Sequence, residues 1–338
     1  ASAFTSSQAM IFPAMKTGKL TVFTGAMARE LITDGSGKVT AVSYVDKATR
    51  GEKQLRCRAV VVAASACESA RLLLNSKSAR FPGGIANGSG MVGRNLTDTV
   101  GYSLSGTVPA LTNLPRHNSD GIDGMHVYVP WWLLEDKQKN FPRGYHIEIG
   151  GGFHMPMLGS FHGACARHQG YGKALKDQIR EEYGTQVGFS GRGEMIPNKE
   201  SFCDIDPQRM DAWGIPVLRF HFQWSDAEIN QVRHMHQTFQ AIIETMGGTV
   251  NGRPPNPKTA GISVGGSIIH EAGAVIMGSD PKKSVLNKYC QSHEVKNLFV
   301  CDAAPFVSQP DKNVTLSIVA FAWRASEYLA EEMRKGNV

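Results

Sequence analysis

Residues 39–46, VTAVSYVD, alternate apolar and polar positions, the two-residue period of a strand with one face in a core. Upstream, residues 18–34 predict one or two strands, closed by a turn at Asp34-Gly35-Ser36-Gly37. Residues 56–66, RCRAVVVAASA, carry two early charges and then run almost wholly apolar, as a central parallel strand covered on both faces does. A helix opens after Ser65 and runs through Ser69 to Leu74. Strand, small-residue turn and helix together make a geometry in which helix N–H groups face a phosphate. From about residue 102 the texture changes. Short apolar runs at 102–108, 124–132 and 145–153, with glycines close by, predict an antiparallel sheet. Residues 171–183 are charged and helical. Residues 185–196 and 217–224 predict further strands, joined by a polar loop that holds Asp204, Asp206 and Asp211. Ser225 caps an amphipathic helix over 226–246, and Glu228 three residues on completes a capping box. The last part of the chain returns to the earlier pattern. Residues 297–301 form a buried strand ending in Asp302, and an apolar helix begins at Val314, directly after Asn313. Residues 1–17 predict a loop and a short helix.

Gly88-Ser89-Gly90-Met91-Val92-Gly93 fits the dinucleotide fingerprint G-x-G-x-x-G letter for letter. It follows a Gly/Pro/Asn loop rather than a strand, and Arg94-Asn95-Leu96-Thr97-Asp98 follows it rather than an apolar helix. The phosphate cradle needs both neighbours, so the match predicts a loop.

At 338 residues the chain is long enough for two domains with sizeable cores, and 41% hydrophobic with 20% charged residues is an ordinary globular balance. A net charge of +6 is scattered, without a basic run interleaved with aromatics, which speaks against nucleic acid as a partner. The six cysteines show no C-x-x-C pair and no zinc spacing, and Cys67 and Cys301, in apolar stretches, are expected to be buried small hydrophobes. No run of about 20 apolar residues predicts a membrane span. His154, His162 and His168, or His234 and His236, lack a carboxylate or cysteine at ligand spacing, so no metal site is expected. His234 and His236, two apart on a predicted helix, point to different faces.

The candidate chemistry lies near the C-terminus. Histidine is the usual general base where a proton must be taken up near neutral pH. His270 follows Ile268-Ile269, where a lone histidine would ordinarily be a hydrogen-bonded core residue. Its surroundings point to catalysis. His270, Gly273, Met277 and Gly278 fit H-x-x-G-x-x-x-M-G. Asn297, Leu298, Phe299, Val300, Asp302 and Ala303 fit N-L-(F/Y)-V-x-D-A, and Asn313 with Thr315 fits N-x-T. These residues resemble the glucose-methanol-choline (GMC) flavoprotein oxidoreductases. Ala64, Ser65, Ser69, Leu72, Leu73 and Ser76 match a second family signature in part, with alanine where the family has glycine. Val92, Gly93, Asn95, Leu96 and Asp98 match its V-G-x-N-L-x-D loop, and Thr99 stands where the family often has histidine. The resemblance covers residues 18–98 and 194–334, and within the family it is nearest to bacterial glucoside 3-dehydrogenases and the large subunits of sugar dehydrogenases.

The resemblance implies an α/β plus α+β fold. Residues 1–100 would form part of an FAD-binding domain, 101–255 an antiparallel substrate-binding domain, and 256–338 a return to the FAD-binding domain with the catalytic pair. It implies FAD-dependent oxidation of a sugar or glucoside hydroxyl, at C-3 by the branch, with hydride passing to flavin N5. His270 would be the base and Asn313 an orienting donor that cannot compete as a base. Asn313 also reads as the cap of the following helix. The cofactor-side positions are Ala28 near adenine, Ala64 and Ser65 at the phosphate-facing turn, and Asn95 on the flavin side. Asp302 and Ala303 would meet the phosphate and ribityl region, and Val314 and Thr315 the pyrimidine end, where a helix N-terminus favours negative charge. The family's own G-x-G-x-x-G strand and helix are not among these residues, so the expectation is the C-terminal part of a longer polypeptide, its FAD-fingerprint segment or chain being a partner. The branch also implies a small subunit and a cytochrome c-type electron acceptor, with a periplasmic setting for such a dehydrogenase and a cytoplasmic one otherwise. A flavin-less sugar-binding or structural subunit of a redox complex is the alternative.

Overall fold

The computed structural model describes residues 5–112, 127–136, 140–151, 162–163, 165–166, 168 and 170–338; His154 lies outside them. In chain order the helices are α1 (Phe12–Lys16), α2 (Ala66–Asn75), α3 (Gly172–Glu182), α4 (Asp226–Thr245) and α5 (Thr315–Lys335). The strands are β1 (Ala26–Thr33), β2 (Val39–Asp46), β3 (Glu52–Arg56), β4 (Val60–Val62), β5 (Val100–Thr107), β6 (Val127–Trp132), β7 (Tyr145–Gly151), β8 (Gln186–Gly193), β9 (Phe202–Met210), β10 (Pro216–His221), β11 (Thr249–Val250) and β12 (Leu298–Val300). They belong to two compact units interleaved in sequence. The first takes in Ala1–Thr21, Val100–Gly193 and Ser225–Ser263, and the second Val22–Thr99, Glu194–Trp224 and Val264–Val338.

The first unit is a five-stranded sheet in the order β11-β5-β8-β7-β6, with every pair antiparallel. Helix α4 covers one face through buried Val232, Met235, Phe239 and Ile243. Its start has the predicted capping box between Ser225 and Glu228. Two glycines on β8 let the helix approach closely. A Cβ at Gly191 would meet Met235 Sδ at 2.6 Å, and one at Gly193 would meet Gln231 Oε1 at 1.6 Å. His234 and His236 are each paired with a hydroxyl from a different strand, Tyr145 at 3.0 Å and Tyr102 at 2.7 Å. Those bonds account for both rings.

The second unit holds the β1-β2-β3 sheet, the β9–β10 hairpin and a parallel pair, β4 and β12. Several elements differ from the sequence pattern. Residues 18–25 are not strand, and only Ala26–Thr33 extends. The run 56–66 divides: Arg56 ends the exposed strand β3, which pairs with β2, and only Val60–Val62 joins β12. The charges at Arg56 and Arg58 hold that first part at the solvent. The polar loop expected around Asp204 and Asp206 is strand β9. There Arg219 on β10 sits directly opposite Asp204 and donates to both carboxyl oxygens, from Nε at 3.0 Å and Nη2 at 2.9 Å. Cys67 and Cys301 are half-buried rather than fully enclosed. Helix α5 starts at Thr315 with Val314 as its N-cap, already helical at φ −81° and ψ −15°, so Asn313 does not cap it.

The parallel pair sets up the site. Leu298 lies opposite Val60 and Val300 opposite Val62, so both strands end together, at residues 63–65 and 301–303. Ligands of parallel sheets bind outside such carboxyl ends. Asn297 ties this pair to β2: its Oδ1 accepts from the Val39 N–H at 3.0 Å, and its Nδ2 donates to the Val39 and Arg58 carbonyls at 2.7 and 2.8 Å. Among the described residues no helix is long and apolar enough to cross a membrane.

Candidate active site

At the carboxyl ends of β4 and β12, Asp302 is buried and points into the first turn of α2. Its Oδ2 accepts from Ser69 Oγ at 2.5 Å and its Oδ1 from the Ala304 N–H at 2.7 Å. The Ala64 N–H donates to the same Ser69 Oγ at 3.1 Å. Burial pushes the Asp302 carboxyl above the ordinary carboxylate range, while the Ser69 hydroxyl and the Ala304 N–H act in the opposite direction.

Ser65 has φ 81° and ψ 161°, a region that is essentially glycine's alone. The strain presents exposed Ala64 and Ser65 at the mouth of the turn. Ala28 on β1 and Ala64 line one 270 Å³ cavity with Leu72 and Ile215 beside them, and Glu68 and Arg71 at its polar side. Met27, Arg29 and Asn75 complete its lining. The structure therefore brings Ala28 and Ala64 together, with Ser65 next to Ala64 in the chain.

The loop holding Asn95, the His270 segment and the Asp302–Ala303 turn form a second cluster. Thr97 and Ala272 exchange backbone bonds at 2.9 Å, and the Gly273 N–H donates to the Ala303 carbonyl at 3.1 Å. A Cβ at Gly273, which has φ +82°, would lie 2.0 Å from the Asn95 carbonyl, so only glycine allows the three segments to close up. The expected G-x-G-x-x-G stretch is a series of turns without a helix.

His270 follows Ile269, which is 78% exposed at φ 60°, a costly conformation for a β-branched residue. Fully buried Asp98 secures this bend. Its carboxyl accepts from the N–H groups of Thr99 at 2.8 Å, Gly266 at 2.8 Å and His270 at 3.2 Å. The His270 ring is half-buried, and its Nδ1 lies 3.3 Å from Thr99 Oγ1. Thr99 Oγ1 in turn accepts from buried Gln309 Nε2 at 2.9 Å. That leaves the hydroxyl one lone pair and one proton for the ring. It accepts from Nδ1 when that atom is protonated and donates to it when it is not. The ring is thus held in either state with Nε2 unengaged by this chain of bonds.

Asn313 is exposed just before α5, and Thr315 is exposed in its first turn, while Val314 is buried. Thr99 and Gln309 escaped the sequence reading. Thr99 had a signal, its position directly after the N-L-x-D motif; Gln309 had none.

Two profiles of one family, described as GMC oxidoreductase, match residues 3–100 and 197–322. The 2-methyl-1,2-propanediol dehydrogenase of Mycolicibacterium austroafricanum is 27% identical over 89% of this chain and 53% of its own length. The fructose dehydrogenase large subunit of Gluconobacter japonicus is 25% identical over 96% of this chain and 57% of its own. The chain thus spans about half the length of these curated relatives. Among solved structures, pyridoxine 4-oxidase from Mesorbium loti superposes with a TM-score of 0.63 over 97% of this chain and 62% of that one, at 16% identity, a likeness of fold.

Proposed function

The chain belongs to the GMC oxidoreductase family, and from that premise we propose that it oxidises a hydroxyl of a sugar or glycoside to a carbonyl with FAD. The observation that carries the reading is the bond series His270–Thr99–Gln309, held on a strained bend by Asp98. A histidine locked at Nδ1 has Nε2 to take a proton, and the alcohol's hydroxyl proton is the one the reaction must remove. Asn313, exposed beside α5, offers an amide to orient the same oxygen. Relatives named for a diol and for fructose support a polyhydroxy substrate. C-3 of a glucoside is the finer reading, taken from branch resemblance.

The residues present fit FAD. The cavity at Ala28 and Ala64 is the size of one flat ring end rather than of a whole dinucleotide. Ser65, in its glycine-like conformation, keeps the turn open beside it. Asn95, Asp302 and Ala303 line the neighbouring cluster, and Val314 and Thr315 begin a helix whose N-terminus favours an anion. FAD supplies, when bound, the two-electron acceptor that no side chain provides. The chain's own part is to bind, to orient the alcohol and to hold its proton at His270.

Both named relatives are dehydrogenases, and one is the large subunit of its enzyme, which supports a dehydrogenase with a small subunit, while a cytochrome c-type acceptor rests on the family resemblance alone. The test is a visible spectrum of the holoenzyme, taken anaerobically before and after methyl glucoside. Flavin bands that bleach support the reading. Protein without flavin, or bands that persist through a panel of sugars and polyols, overturn it.

A further inference from the structure

We propose that Cys290 and Cys301 are a peroxide-reactive dithiol, with Cys290 the attacking thiolate, Cys301 the resolving thiol and Arg324 the cation that holds the thiolate. The two cysteines share a small core of the second unit. Cys290, Phe299 and Ala325 are its buried members, and Cys301, Phe321 and Tyr328 pack against them. The backbone brings the pair together. Gln291 and Phe299 face each other in an antiparallel bridge, and the Val300 N–H donates to the Cys290 carbonyl at 3.0 Å. Cys301 follows directly, at the end of β12.

Cys290 has φ 58°. That left-handed conformation is open to glycine and tolerable for asparagine, and it strains other residues. A strained position filled by a cysteine points to the thiol as what the place requires.

Arg324 is the second observation. On α5 it stands three residues after Phe321 and four before Tyr328, so it shares their side of the helix. Its Nε is buried and, among the described residues, has no hydrogen-bond partner. The rest of the guanidinium meets soft groups, Met277 Sδ at 4.0 Å from Nη2 and the Phe321 ring centroid at 4.9 Å from Cζ. A buried cation without a carboxylate is costly, and a thiolate is the anion this core can offer. The Cys301 thiol and the Arg324 guanidinium hold the Cys290 thiol below its ordinary range, against burial and the Asp302 carboxyl. Cys290 and burial push Cys301 up. The larger core gives the contrast. Cys203 is buried there with Cys67 packed against the same cluster, and burial pushes both thiols up, Cys203 to about 12. Those two stay protonated and inert.

The oxidant is hydrogen peroxide, a molecule little larger than water, and half-buried Cys301 gives it a way to the pair. The Cys290 sulfur attacks one peroxide oxygen. An S–O bond forms, the O–O bond breaks, and the leaving hydroxide takes a proton to become water. The Cys301 sulfur then gives up its proton and attacks the Cys290 sulfur. The S–S bond forms, the S–O bond breaks, and hydroxide leaves with that proton as a second water. The two thiols lose two electrons in all, and the peroxide gains them. The disulfide would tie the Cys290 turn to the end of β12, directly before Asp302. This site is separate from the proposed oxidation of an alcohol and does not rest on it.

The test is peroxide treatment of the reduced holoenzyme, then alkylation under denaturing conditions, digestion without reductant and mass spectrometry. The expected product is a peptide pair linked through Cys290 and Cys301, with Cys67 and Cys203 alkylated. In Cys301→Ser, dimedone is expected to label Cys290 as its sulfenic acid. Arg324→Met is expected to slow linkage roughly tenfold, the effect of about one unit in a thiol's pKa, and Arg324→Lys to restore most of the rate. Melting temperatures check the fold, and should Arg324→Met fail to fold, the dimedone label in Cys301→Ser decides. The inference is overturned if peroxide oxidises exposed Met210 and Met246 yet leaves Cys290 and Cys301 open to alkylation. Linkage of Cys67 to Cys203 first, or no label in Cys301→Ser, overturns it too. So does a folded Arg324→Met that reacts at the wild-type rate.

Discussion

A side chain that carries a proton needs a neighbour that suits both of its states, and Thr99 is that neighbour for His270. Replacing His270 by alanine is expected to slow anaerobic flavin reduction by roughly 10²–10⁴-fold, the usual share of a general base, with the melting temperature unchanged. Thr99→Val keeps the shape and removes the hydroxyl, leaving the buried Gln309 amide without its acceptor. A stability loss of about 1–3 kcal/mol in urea unfolding is expected, along with slower reduction, and Thr99→Ser should restore both. If Thr99→Val changes stability but not the rate or its pH profile, Thr99 only supports the fold. At this scale the sequence named residue types well and partners poorly. His270 and Asn313 stood in recognisable spacing, whereas Gln309 meets Thr99 across 210 residues, and no local pattern encodes that meeting.

Helix α2 is anchored by carboxyls at two levels, Asp302 at its first turn and Asp211 through Arg71 in its middle. The nearly buried Arg71 donates to the Pro216 and Ile215 carbonyls, to Glu68 and, at 2.7 Å, to Asp211, which joins α2 to the β9–β10 hairpin. Arg71→Met takes the guanidinium from Asp211, which keeps the Trp213 and Ile215 N–H groups, and a loss of about 3 kcal/mol in unfolding free energy is expected. The same pair sets a pH dependence. Burial acts to raise the Asp211 carboxyl, but the Ile215 N–H, the Arg71 guanidinium and the Trp213 N–H outweigh it and hold the group below its usual range. The unfolded chain therefore binds this proton more readily. Its contribution is complete above the unfolded value near 4 and disappears as pH falls through the folded one. Urea midpoints measured across that acid range should fall more steeply for wild type than for Asp211→Asn. Equal slopes would mean that the pair contributes nothing. Elements with a clean period, such as 39–46 and the helix capped by Ser225, were legible in sequence. Strand β9 was not, because its charges pair across an exposed hairpin, a contact that hides the alternation.

Neither compact unit is continuous in sequence, and hydropathy alone does not reveal that. The family signatures mark the second unit's segments, but the division at residue 255 that the resemblance implies leaves 194–224 with the substrate-binding domain, whereas they pack with the second unit. What closes the second unit is specific and distant. Asn297→Ala would leave the buried Val39 N–H and two carbonyls without partners, and a loss of about 2–3 kcal/mol is expected in urea unfolding. A smaller loss would mean that water replaces the side chain. Val39 and Asn297 are 258 residues apart, and a ribosome adds roughly 5–20 residues per second. During synthesis, β2 therefore waits between about ten seconds and a minute for the side chain that completes its first bond. The sheet and α4 of the first unit emerge entirely within that wait, since its last segment ends at Ser263. The first unit is thus ready to fold before the last segment of the second, Val264–Val338, has been made.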